Sequence, residues 1–131
     1  MTKNASRPLL LVIAAAVLGV AVACDRDPLL APVASTISLS AETSLLRPGE
    51  STALTAVVTE EAGTAVHDGT VVRFLSTLGR VEPETTKTED GVAKARFIAG
   101  GVLGTARVTA ISGAAESGVD VPNTFDIVIE N

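Results

Sequence analysis

The chain has no tryptophan and no tyrosine, and only three phenylalanines, one histidine and one cysteine among 131 residues. A single thiol excludes an internal disulfide framework and a zinc site built from cysteine pairs. Without Trp or Tyr there is no ready platform for stacking sugars, and three Phe are needed for a core. Basic side chains are also scarce. Ten Lys and Arg stand against fifteen Asp and Glu, a net charge of −5, which argues against a nucleic-acid binder with a basic phosphate-facing surface. Helical periodicity is missing outside residues 9–23.

Recognisable catalytic patterns are missing too. No helical metal motif, nucleophile elbow or phosphate loop occurs, and Gly100–Gly104 joins two expected strands instead of opening a helix. His67 stands beside Asp68, but no serine in a strained turn accompanies the pair, so a solvated loop histidine is the simpler reading. The chain reads as non-enzymatic, with no catalytic residue, cofactor or metal ligand set.

What is present begins at the N-terminus. Lys3 and Arg7 precede Leu9–Ala23, an unbroken apolar run of 15 residues that ends at Cys24, with Asp25-Arg26-Asp27-Pro28 directly after it. A bilayer-spanning helix needs about 20 apolar residues, whereas the apolar region of an export signal takes roughly 7–15. Residues 1–23 therefore read as a signal peptide. Ala21-Val22-Ala23-Cys24 resembles the lipobox of bacterial lipoproteins, with Ala21 where that motif usually has Leu. The resemblance implies cleavage before Cys24 and acylation of its thiol. A plain Ala-x-Ala secretory site cutting the same bond is the alternative. Lys3 and Arg7 are lost with the signal, which has no acid, so the 108 residues from Cys24 carry 8 basic against 15 acidic side chains, or −7. Residues 24–35 contain two prolines and no periodicity, and read as a tether.

From Thr36 the pattern has period two, punctuated by Gly and Pro. Strands are expected at 36–41, 51–60, 70–76, 92–98, 105–112 and 124–130, with one short edge strand in 80–89 around Glu82-Pro83-Glu84. The apolar rows are Ile37 and Leu39; Leu54, Ala56 and Val58; Val72 and Phe74; Ala93, Ala95 and Phe97; Ala106, Val108 and Ala110; and Phe125, Ile127 and Ile129. About seven short strands with one buried face each predict an all-β chain. Residues 36–131 would form an immunoglobulin-like antiparallel β-sandwich.

Leu54-Thr55-Ala56-Val57-Val58, Val72-Arg73-Phe74, Asp90-Gly91-Val92-Ala93 and Gly104-Thr105-Ala106-Arg107-Val108-Thr109-Ala110 resemble the bacterial immunoglobulin-like domain, group 1, of the invasin and intimin adhesins. The departures are Thr64-Ala65, where that family often has proline, and a single copy where adhesins stack many. The resemblance implies a sandwich used for adhesion or as a spacer.

An alternating strand count puts Glu60, Glu61, Asp68, Glu89, Asp90, Glu116 and Asp120 at the pole nearest the tether, and Arg47, Arg80 and Gly100–Gly104 at the other. Calcium could use such carboxylates, but no dense Asp-x-Asp spacing supports a site, and solvated turn acids are the simpler reading. The expectation is a non-enzymatic, exported cell-envelope protein, lipid-anchored to a membrane through Cys24, inner or outer. Its domain contacts an envelope protein or polysaccharide in an adhesin-like way. The alternatives are a spacer or accessory subunit without a ligand, or a secreted carbohydrate-binding module.

Overall fold

The computed structural model describes residues 27–115 and 123–131; the signal segment, Cys24, Glu116 and Asp120 lie outside them. The described chain is all-β, in nine strands: β1 (Thr36–Ala41), β2 (Leu45–Leu46), β3 (Ser51–Thr59), β4 (Val71–Ser76), β5 (Arg80–Glu82), β6 (Thr85–Lys87), β7 (Val92–Ile98), β8 (Gly104–Ile111) and β9 (Thr124–Ile129). They form a four-stranded sheet in the order β1-β3-β7-β5 and a five-stranded sheet in the order β2-β9-β8-β4-β6.

The period-two pattern is what stacks these sheets. Successive side chains on a strand point to opposite faces, so each apolar row turns to the same interior. Ile37 and Leu39, Leu54, Ala56 and Val58, and Ala93 and Phe97 are buried from the first sheet. Val72 and Phe74, Ala106, Val108 and Ala110, and Ile127 and Ile129 are buried from the second. Arg73, Lys94, Arg96, Arg107 and Asp126 alternate with them and stay exposed. Phe74 and Phe97 face each other's layer as the largest fully buried side chains, while Phe125 is half-buried against the core's rim.

Two features depart from the expected seven strands. The edge segment in 80–89 divides: β5 pairs with β7 in one sheet and β6 pairs with β4 in the other. The chain crosses between layers at Pro83, which has no N–H to give a ladder. The second addition is β2. After β1 the chain leaves the first sheet, and Leu45-Leu46 joins β9 in parallel, fixed by Val128 N–H to Ser44 C=O at 2.7 Å and Glu130 N–H to Leu46 C=O at 3.0 Å. Leu46 is buried there and Leu45 is exposed. Two residues show no period, so this strand is invisible in sequence.

Residues 29–35, expected to be linker, pack on the sandwich. Val71 N–H donates to Leu29 C=O at 2.7 Å, and Ala31 and Ser35 are buried. Ser35 N–H closes a turn on Pro32 C=O, with Ala34 in the left-handed region at φ 66°.

Because Phe97 is fully buried and Phe125 is not, truncating them should cost very different amounts. Phe97→Ala is expected to lose about 3–5 kcal/mol, lowering Tm by more than about 10 °C in a domain of this size. Phe125→Ala should lose clearly less. Thermal melts followed by far-ultraviolet circular dichroism check this, and equal losses would contradict the packing.

Candidate functional site

The registers decide which loops share an end. Thr36 pairs with Thr59, Val57 with Val92, and Arg73 with Ile111. The loops after β3, β6 and β8 therefore lie at the pole where β1 begins, beside the docked strap of residues 29–35. Glu60, Glu61, Asp68, Glu89 and Asp90 are all brought to this pole, as the strand count expects.

Their local chemistry is structural. Thr70 and Thr88, each 1% exposed, both donate their hydroxyls to His67 C=O, at 2.6 and 3.0 Å. Thr88 Oγ1 in turn accepts Thr70 N–H at 3.2 Å. Asp68 Oδ1 accepts Asp90 N–H at 2.8 Å, which holds Asp90 at φ 51°. At Gly91, φ is +76°, and an added Cβ would stand 2.8 Å from the Ala65 Cβ; only glycine fits that approach. His67 thus serves through its backbone, while Asp68 caps a neighbouring turn. Among the described residues no three His, Cys, Asp or Glu side chains gather closely enough to hold a metal ion.

The opposite pole is organised by backbone contacts. Gly49 N–H donates to Ala99 C=O at 3.0 Å and Ala99 N–H to Glu50 C=O at 2.8 Å. Arg47 N–H donates to Glu50 Oε2 at 2.8 Å, and Arg80 pairs with Glu82 at 2.8 Å. Val102 and Leu103 are exposed on the connection before β8. The threonine lattice is not legible in the sequence, because buried threonines look like any strand residue until their partners are known.

Electrostatics on the sheet face centre on one cross-strand pair. Arg107 and Asp126 stand opposite each other in register, and the guanidinium donates twice to the carboxylate, at 2.9 and 3.1 Å. These hydrogen bonds hold the Asp126 carboxyl below the usual carboxylate range and raise Arg107 further. All three phenylalanines are engaged with the interior, two fully and Phe125 in part, so no aromatic platform for sugar lies on either face.

No known family's sequence pattern matches the chain, and no characterised protein sequence matches it. Solved structures do. The D0-D1 domain of intimin superposes with a TM-score of 0.56 at 20% identity, covering 72% of this chain and 48% of that one. The Yersinia pseudotuberculosis adhesin InvE gives 0.55 at 21% identity over 78% of this chain and 28% of that one. The Escherichia coli adhesin FdeC gives 0.52 at 20% identity over 76% and 31%. The domain is immunoglobulin-like. At these identities the likeness is one of fold, and the chain spans about half the intimin segment it matches.

Two outcomes follow from this geometry. Asp68→Ala should cost about 1 kcal/mol in chemical denaturation through the lost turn hydrogen bond, and millimolar calcium should leave Tm unchanged. A calcium-dependent rise in Tm would overturn the structural reading of the acidic pole. The Asp126 carboxyl is lowered in the folded state, so its contribution is present at neutral pH and disappears as pH falls through that lowered value. Asp126→Asn should therefore lower Tm slightly at neutral pH, as expected of an exposed pair, and not at all in strong acid. A pH-independent difference would contradict the pairing.

Proposed function

We propose that the chain is a non-enzymatic, exported cell-envelope lipoprotein, anchored through the acylated thiol of Cys24. Its immunoglobulin-like domain presents surfaces to another envelope or cell-surface component. The reading is supported above all by the placement of Ala21-Val22-Ala23-Cys24 between a short apolar run and a charged segment, immediately upstream of a domain folded like those of surface adhesins. One acyl chain binds a membrane weakly and two or more hold it firmly, at about 0.8 kcal/mol per buried methylene. A lipoprotein-type modification is of the firm kind.

The domain's outer faces fit a binder or spacer better than a catalyst. The five-stranded sheet turns Arg73, Leu75, Arg107, Asp126 and Val128 outward, a mixed surface suited to protein contact. A sugar-binding module fits poorly, since its stacking aromatics would have to come from the core. A spacer without a ligand is the second reading, and it is favoured by the regular backbone ties at both poles.

Intact mass of the mature N-terminus tests the anchor. The expected result is a chain that begins at acylated Cys24. An unmodified Cys24, or a start elsewhere, would sink the lipoprotein reading. Affinity capture of envelope partners by the lipidated protein then separates binder from spacer: one reproducible partner supports the first, and none supports the second.

A further inference from the structure

Residues 28–33 present an unusual surface for a polar pole. Pro28, Leu29, Leu30, Pro32 and Val33 are exposed, and only Ala31 turns inward. Leu29 is 46% exposed, Leu30 50% and Val33 83%, and no charge interrupts the chain from Pro28 to Ala41. The run is not loose. It is held at one end by the Leu29–Val71 hydrogen bond at the start of β4. In its middle, a Cβ added at Gly113 would lie 3.0 Å from Leu30 Cβ and 2.7 Å from Ala31 C=O. At its other end, Pro32 and Val33 line a shallow cleft with Glu60, Glu61 and Ala62 beyond β3. The apolar strap thus crosses the whole pole, from one sheet to the other, with its leucines and valine facing out.

Cys24 lies five residues before Leu29, at most about 18 Å of extended chain. We infer that this strap is a membrane contact: Leu29, Leu30 and Val33 rest in the headgroup region of the bilayer that holds the Cys24 anchor. The inference rests on the lipoprotein reading. Exposed apolar side chains gain by leaving water at an interface, and an anchor so close keeps them within reach of one. Glu60 and Glu61 flank Val33 and stay hydrated, so the contact is shallow and favours neutral headgroups over anionic ones. The anchor and the strap together hold the domain by its acidic pole, leaving Arg47, Arg80 and the Gly100–Gly104 connection farthest from the lipid.

The chain's lack of tryptophan makes a direct test possible. The full chain carrying Val33→Trp, and separately Val102→Trp at the far pole, is produced with its leader, extracted from membranes and reconstituted into phosphatidylethanolamine vesicles containing brominated lipid. The strap predicts blue-shifted emission and strong bromine quenching at residue 33, with weaker quenching in vesicles rich in anionic lipid. Residue 102 should show water-like emission and no quenching. Equal behaviour at the two positions overturns the contact. A blue shift at residue 33 that appears on raising protein concentration without lipid assigns the strap to self-association and also overturns it. Mass of the same sample separates the two claims, since an acylated chain with no quenching leaves the anchor standing and removes the strap. Should the mass show bare Cys24, coupling its thiol to a maleimide-headgroup lipid restores the same tethering, and quenching at residue 33 then decides the contact alone.

Discussion

The structure depends on alternation: every long strand places one row of side chains between two sheets and the other row in water. With no Trp or Tyr, that interior is filled by Val, Ile, Leu and Ala around two buried phenylalanines, one from each sheet. Small alanines at 56, 93, 106 and 110 let the sheets approach, and Phe74 and Phe97 occupy the space between them. Loss of either ring leaves a cavity that neighbouring aliphatics cannot close. The poles, edges and strap are arranged around this layer and add to it at its margins.

Edges are managed in three ways. β2 covers one end of β9, and β5 and β6 are only three residues long and carry Arg80, Glu82 and Lys87. β1 is longer and uncharged, yet its core residues Ile37 and Leu39 are 0% and 3% exposed, so their backbone is out of water. Short, charged or buried edges leave little unpaired backbone for edge-to-edge association.

The six long strands and the buried apolar side chains they carry were legible from period-two spacing, because a row such as Ala106, Val108, Ala110 has no other way to be buried. Val66, Val81, Ala99 and Ala115 lie off those rows, and Ala95 and Phe125, which lie on them, are only partly buried. The two poles were legible as well, since alternation of strand direction alone assigns Asp68 and Asp90 to one end and Arg80 to the other. The short elements were not. Leu45-Leu46 and Thr85–Lys87 are too brief to show a period, and their pairing is decided by which neighbouring strand lacks a partner. The docked strap was hidden for another reason: Pro28-Leu29-Leu30-Ala31-Pro32 follows no regular geometry, and only the Val71 amide and the close approach to Gly113 reveal it as part of the domain. Likewise the threonine lattice around His67 C=O emerges only from tertiary contacts. What the acidic residues do locally, capping a turn in the case of Asp68, is also decided by tertiary contacts.

In the proposed arrangement the acidic pole faces the membrane and the docked strap leads toward Cys24. Amide hydrogen exchange at Val71 tests that docking most directly, because its N–H is the first of β4 and its acceptor is Leu29 C=O. In a chain starting at residue 24 the Val71 amide should be protected, and in one starting at residue 34 it should exchange far faster while Phe74 stays protected. A Val71 amide that exchanges equally fast in both chains would contradict a docked strap and the orientation built on it.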